Sequence, residues 1–159
     1  MNAFATGNAD TIRELLTGPS GDLATNDSDP VWRGRAVALI GAVVPALVWL
    51  RDNKGVPLNV DVILVSIERR SFWRLAMEKR FAARDPNTGI VTKVDVSNEI
   101  PEDIILPLQA YLGDLPGYDP SVSLDSENSR EPSKQQIFAQ YHYVEWEAWR
   151  LLRSAGAAP

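Results

Sequence analysis

This 159-residue sequence contains one histidine, the side chain used most often for general acid–base chemistry. The single histidine, His142, could act as a general base, since it stands beside Tyr141 and Tyr143 with Glu145 nearby. A histidine at the boundary of the last helix, without a catalytic role, is the favoured interpretation.

Metal binding is the second chemistry to consider. Asp125, Glu127 and Asn128 could offer oxygen ligands to a cation, but their spacing does not match the EF-hand loop. A solvated loop is the favoured interpretation of this segment. The sequence has no cysteine and one histidine, which excludes Cys-based and His-rich metal sites. We therefore predict no metal site.

Motifs for nucleotide binding and for covalent catalysis are absent. A P-loop needs a Gly-Lys pair after a glycine-rich turn that cradles phosphates, and the sequence contains no such pair. It also lacks the G-x-G-x-x-G pattern and the G-x-S-x-G nucleophile elbow. We therefore predict no catalytic residue and no cofactor in this chain, and a small enzyme of unrecognised type is the least favoured alternative.

The charge pattern says more about function. The basic segment, residues 69–84, carries six basic residues and one acid, Glu78. On a helical wheel its arginines share an arc with a tryptophan and a methionine, a mixture typical of contact surfaces. The alternative is a solvated helix face with Trp73 packed against a neighbour. The candidate partner- or nucleic-acid-binding residues are Arg69, Arg70, Trp73, Arg74, Met77, Arg80 and Arg84.

An acidic segment complements the basic one. Residues 95–131 hold nine acids and one base, Arg130. The basic segment could pack against it within the domain, meet it head to tail between subunits, or bind an acidic or nucleic-acid partner. The sequence leaves these three uses open. A net charge of −5 and a pI near 4.9 disfavour extensive coating of nucleic acid but allow weak, local DNA binding.

The elements that must position these residues indicate a single all-α domain over residues 1–159, an irregular bundle of five or six helices. Asp29-Pro30 predicts the start of a central buried helix that reaches Asp52 and is kinked or split by Pro45. Its apolar stretch, residues 36–50, is shorter than the roughly 20 residues of a membrane span, so we predict none.

Shorter elements surround that helix. The β-branched residues 60–65 favour a short helix capped by Asn59, because a lone strand would have no partner. Alternation at residues 90–96 predicts a short extended excursion, and residues 155–159 a frayed tail. The remaining helices are predicted at 10–17, capped by Asp10 or by Thr11 with Glu14, and at 71–83, 101–112 and 132–154, with Phe138, Tyr141, Ala148, Trp149 and Leu152 on one face of the last.

Three stretches resemble the coupling protein family of type IV secretion, in the branch of the TrbC-like and DotL-like ATPases. The first two are Asn2-Ala3-Phe4 with Gly7 to Thr11, and Trp32 to Ala36 with Pro45 to Asp52. The third comprises Pro107-Leu108, Tyr111-Leu112 and Leu115 to Asp119, followed by Gln136, Phe138 and Gln140. Their order and spacing look like the family's all-helical domain.

The resemblance implies a domain excised from a larger P-loop ATPase of TraD/TraG type at the cytoplasmic face of the bacterial inner membrane. Such a domain would recruit a relaxase–DNA complex (relaxosome) or a secreted protein with its adaptors, for conjugation and DNA transfer or protein export. ATP, Mg and a hexameric ring would belong to the full-length protein, and the isolated domain would be a monomer. A free-standing helical adaptor or regulatory protein is the alternative.

Overall fold

The computed structural model describes residues 3–17, 30–84, 88–115, 118, 123–124 and 132–157. These parts form a helical bundle with one small hairpin, which confirms the predicted all-α class and its short extended excursion. The elements are α1 Ala3–Thr6, α2 Ala9–Thr17, α3 Pro30–Lys54, α4 Val60–Ser66, α5 Arg69–Trp73, a π-helical turn Arg74–Glu78, β1 Arg80–Arg84, β2 Val91–Asp95, α6 Glu102–Gly113 and α7 Pro132–Ala157.

Helix α3 is the centre of the bundle, as its apolar residues on all sides predict. It packs against α2, α4, α6 and α7, and Leu39, Ile40 and Leu50 are completely buried. Pro45 does not split it, because the helix continues to Lys54. It ends before Gly55, whose φ of 69° lies in the left-handed region that glycine adopts without strain. The N-cap predicted at Asp29 lies outside the described residues.

One helix in the described part of the chain, Val31–Lys54, is long and apolar enough to cross a membrane by length and composition. The core helix of a soluble protein passes the same test, and a 25-residue α3 is longer than the apolar stretch we considered in the sequence. Its contacts with four other helices are those of a core helix.

Helix α4 begins where the sequence predicts. The side chain of Asn59 accepts a hydrogen bond of 2.8 Å from the backbone N–H of Val62, which satisfies one of the free donors at the helix start. The prediction of a helix in this β-branched segment is therefore confirmed. The predicted cap of α2, Asp10 or Thr11 with Glu14, is wrong. The side chain of Asn8 caps this helix instead, by accepting a hydrogen bond of 2.8 Å from the backbone N–H of Thr11.

The helix predicted at 71–83 is wrong beyond Glu78. The chain forms α5 and the π-helical turn, Lys79 takes a left-handed conformation with φ of 54°, and a strand then begins at Arg80. Strands β1 and β2 are antiparallel, and their register runs from Arg80 opposite Asp95 to Arg84 opposite Val91. The predicted excursion at 90–96 is thus one half of a hairpin whose other half we took for helix.

The π-helical turn has a specific support from α6. Lys79 N–H donates to the carbonyl of Arg74, five residues back, so the turn contains one more residue than an α-helical turn would. The side-chain amide of Gln109 donates to the carbonyl of Ala76 at 3.1 Å. Strand β1 then buries Phe81 while its arginines stay exposed.

Helix α7 completes the core and extends beyond its predicted end at Ser154. Its buried side includes Tyr141, whose hydroxyl donates 2.6 Å to the carbonyl of Ile67 between α4 and α5. Ala148 and Leu152 are buried as predicted, and Phe138 packs against the core. The prediction that Trp149 shares the buried face is wrong, since this residue is 36% exposed and stacks on Trp146.

Candidate functional site

The predicted basic surface does not form one helical arc, because the chain changes conformation twice within it. Arg69 and Arg70 lie on α5, Arg74 starts the π-helical turn, and Arg80 and Arg84 lie on β1. The wheel that placed them together assumed continuous helix from 69 to 84. The structure therefore brings together a subset of these residues, and it does so through the hairpin.

Arg74 and Arg80 meet at the hairpin cleft, a cavity of about 520 Å³ between the π-helical turn and the two strands. The cleft also receives Lys93 from β2, a cation that sequence reasoning missed. The hairpin register places Lys93 opposite Ala82. The alternation at residues 90–96 was the sequence signal for the strand that carries it. The cleft is lined by Ser71, Arg74, Glu78, Arg80, Phe81, Ala82, Lys93, Val94 and Asp95.

Local acids partly neutralise these cations. Arg80 forms an ion pair of 2.9 Å with Glu78 and lies opposite Asp95 in the hairpin. Hydrogen bonds from the hydroxyl and backbone N–H of Ser97 lower the pKa of Asp95, with a smaller contribution from the charge of Arg80. Asp95, the first acid of the acidic segment, thus meets the basic segment within the domain. Two carboxylates against three cations leave the cleft weakly basic.

The other predicted residues are divided between packing and exposure. Arg69 is half-buried, with its guanidinium carbon 3.9 Å from the ring centre of Phe138. Arg70 Nε donates to Glu68 at 3.4 Å. Trp73 is half-buried and packs against the core, as its alternative interpretation predicts. Met77 is 41% exposed, and Arg84 is exposed at the end of β1.

His142 lines a shallow cavity of about 270 Å³ between α5 and α7, together with Glu68, Arg69 and Glu145. Burial raises the pKa of Glu145, whose side chain accepts a hydrogen bond of 3.1 Å from the backbone N–H of Arg69. No Ser, Thr or Cys belongs to the described residues that line this cavity. The arrangement holds α7 against α5. The loop predicted at Asp125, Glu127 and Asn128 lies outside the described residues.

Sequence reasoning missed a second surface on α7 and α3, which we call the aromatic face and define as Trp32, Tyr143, Trp146 and Trp149. Tyr143 is 60% exposed and Trp146 is 56% exposed. The rings of Trp146 and Trp149 stack at 6.1 Å with an interplanar angle of 15°, and Trp32 lies 5.6 Å from Tyr143. The spacing of these aromatics along α7 was a visible signal, but we assigned Trp149 to the core.

Comparison with known proteins gives one informative similarity. The chain is 25% identical over 156 residues to the type 4 coupling protein DotL of Legionella pneumophila. The match covers 97% of this chain and 18% of that relative, so the chain spans less than a fifth of the relative's length. No family model and no solved structure matches the chain. The similarity suggests a domain of a secretion coupling protein, as the sequence resemblance implied.

Proposed function

We propose that this chain is a substrate- or partner-recognition domain of a type IV secretion coupling ATPase. The observation that carries the proposal is the similarity to DotL over nearly the whole chain. A chain that matches under a fifth of a coupling protein has the size of one domain within it. Recognition is the function that such a helical domain can supply without a nucleotide-binding motif of its own.

On this proposal, recognition belongs to this chain and ATP hydrolysis belongs to other parts of the larger protein. ATP and Mg bind elsewhere in the larger protein, which forms the hexameric ring at the cytoplasmic face of the inner membrane, and the isolated domain is a monomer. The cargo is a relaxase–DNA complex or a secreted protein with its adaptors. No residue of this chain takes part in ATP hydrolysis.

Two surfaces suit recognition. The hairpin cleft offers Arg74, Arg80 and Lys93 to an anionic group, and the aromatic face offers large exposed rings. The cleft suits phosphate or carboxylate equally well by charge. Its neighbouring acids, Glu78 and Asp95, favour a small number of anionic contacts over a long track of phosphates.

A salt series distinguishes DNA from protein cargo at the cleft. Binding of the chain to short single- and double-stranded DNA is measured from low to physiological salt, since each phosphate bound steepens the salt dependence. If the cleft binds DNA, joint reversal of its cations Arg74, Arg80 and Lys93 to Glu flattens the slope by roughly one for each phosphate that the variant no longer binds. Each of the three single reversals is compared with Arg13→Glu on α2, which makes the same charge change away from the hairpin.

Protein cargo is tested in parallel by quantitative binding of purified relaxase and purified secreted proteins to the same variants. Weaker binding of either cargo class by the triple variant, and by its single reversals more than by Arg13→Glu, supports recognition through the cleft. Absence of binding to DNA, relaxase and secreted proteins alike overturns the proposed function. Unchanged binding of these cargoes to the triple variant would show that the cleft is not the recognition surface.

A further inference from the structure

Three residues of the aromatic face, Tyr143, Trp146 and Trp149, are exposed on α7, whereas Trp32 from α3 is half-buried and also packs against the core. At about 100° per residue, Trp146 lies on the helix opposite the seam of Tyr141, Val144 and Ala148. The rings of Tyr143 and Trp146, which are more than half exposed, contribute little to the core. Contiguous exposed aromatics of this kind mark protein-binding surfaces, where Trp, Tyr and Arg are enriched.

Two arginines complete this surface. The guanidinium carbon of Arg153 lies 4.0 Å from the ring centre of Trp149, and that of Arg35 lies 4.8 Å from the ring centre of Trp32. Guanidinium groups stacked on rings are held in place by the cation–π attraction while their N–H edges remain available to an acceptor. Arg35 uses one of its edges for the side chain of Gln140 at 3.3 Å.

The charge of this surface differs from that of the hairpin cleft. Within the described part of the chain, neither Arg35 nor Arg153 forms an ion pair, although Asp114 lines the same cavity as Arg35, whereas Arg80 is paired with Glu78. Arg150, on the same side of α7, is paired with Glu147 at 3.2 Å. The two ring-stacked arginines are therefore the cations of this surface that can form an ion pair with a carboxylate of a partner.

We propose that the aromatic face, with Arg35 and Arg153, docks a polypeptide segment that presents both apolar side chains and carboxylates, such as an acidic amphipathic helix. This inference rests on the proposed recognition function and names the class of partner. The apolar side chains pack on the exposed rings, and the carboxylates pair with the guanidinium edges at either end. Single-stranded nucleic acid is the weaker candidate, because its phosphates need a basic groove that follows the backbone, and this surface offers the two separate guanidinium groups of Arg35 and Arg153.

The five tryptophans provide a built-in test. Indole N–H signals of the whole chain are followed by NMR during titration with a synthetic amphipathic peptide of Glu and Leu, about five helical turns long. Single Trp→Phe variants assign the signals. The expected result is that the peptide shifts the signals of Trp146 and Trp149 most, shifts that of half-buried Trp32 less, and leaves those of Trp49 and Trp73, which lie outside the aromatic face, in place.

Matched probes and variants set the limits. A peptide with Lys in place of every Glu, and oligo(dT) of similar length, should bind at least about tenfold more weakly. Trp146→Ala and Arg153→Glu should each lower affinity for the Glu peptide by on the order of tenfold, and Arg153→Lys by less. Equal binding of the Lys peptide or of oligo(dT), or shifts confined to Trp49 and Trp73, overturns the inference.

Failure of this inference is distinguishable from failure of the proposed function. If purified secreted proteins or relaxase bind the chain with unchanged affinity after Trp146→Ala and Arg153→Glu, recognition stands and the aromatic face is excluded. If the Glu peptide binds at the aromatic face but none of these cargoes binds the chain, the surface assignment stands and the coupling role falls. Thermal melts of both variants exclude unfolding as the cause.

Discussion

The hairpin cleft and the aromatic face use similar side chains in opposite ways. At the cleft, cations lie beside local carboxylates, and the segment is anchored by the completely buried Phe72. On α7, aromatic rings are exposed and Arg153 lies on one of them without a carboxylate beside it in the described chain. Residue type alone therefore does not identify a contact surface. What matters is whether a group's interactions are already satisfied within the fold.

The largest expected difference is in the cost of removing an aromatic ring. Phe72 packs against Tyr111 at 5.5 Å and Tyr141 at 6.1 Å, so Phe72→Ala should lower the free energy of unfolding by about 3–5 kcal/mol. Trp146→Ala, the matched control, should change it by less than about 1 kcal/mol, because the residue is more than half exposed. Urea melts measure both. A comparable loss in the two variants would contradict the division between anchor and contact surface.

Two tyrosines two residues apart on α7 give the next test. Tyr141→Phe removes the donor to the carbonyl of Ile67 and leaves that carbonyl without its partner, so we expect a loss of about 1–3 kcal/mol. Tyr143→Phe should have almost no effect, because its hydroxyl is on the exposed side. Denaturant midpoints of the pair decide this. Equal effects would show that the outer side of α7 also supports the fold.

Lys79 and Lys93 should respond to glycine with opposite signs. Lys79 has φ of 54°, where a side chain is strained, so Lys79→Gly should raise the free energy of unfolding by up to about 1 kcal/mol. Lys93 lies in β2, and Lys93→Gly should lower it by roughly 0.5–1 kcal/mol through loss of strand conformation. Thermal melts of both variants suffice, and destabilisation by Lys79→Gly would show that its side chain supports the turn.

The smallest effect is a pH dependence at the junction of α5 and α7. Burial raises the pKa of Glu145 above its ordinary 4.5, so the folded state holds this proton more tightly than the unfolded state. Its contribution to stability is full below pH 4.5 and is lost as pH rises through the folded pKa. Glu145→Gln should flatten this part of the stability curve, measured by melts across that range. An unchanged curve would assign the pH dependence to another group.

The sequence was sufficient where local chemistry decides the structure. Asn59 predicted the start of α4, because a cap acts within one helical turn. The hairpin was half predicted. The alternation of Val91 to Asp95 was visible, but the residues of β1 fit a helical wheel as well as a strand.

Tertiary contacts decided the rest. A left-handed turn at Lys79 gives no signal in the sequence, because glycine would be the usual residue there. Trp149 is apolar and close in sequence to Ala148, which is buried, so only the packing of α7 on α3 reveals that the tryptophan faces outward. The same packing displays the aromatic face, which depends on Trp32 from α3 and Tyr143 from α7.

The extra residue in the π-helical turn also has a consequence for how this domain can change over evolutionary time. Such a turn lets a helix gain or lose one residue while its flanking segments keep their places. A one-residue deletion within residues 74–78 is therefore expected to preserve the pairing of β1 with β2. A deletion within β1 would exchange its inward and outward side chains, burying arginine in place of Phe81. Length variation among homologues should accordingly concentrate in the turn and avoid the strand.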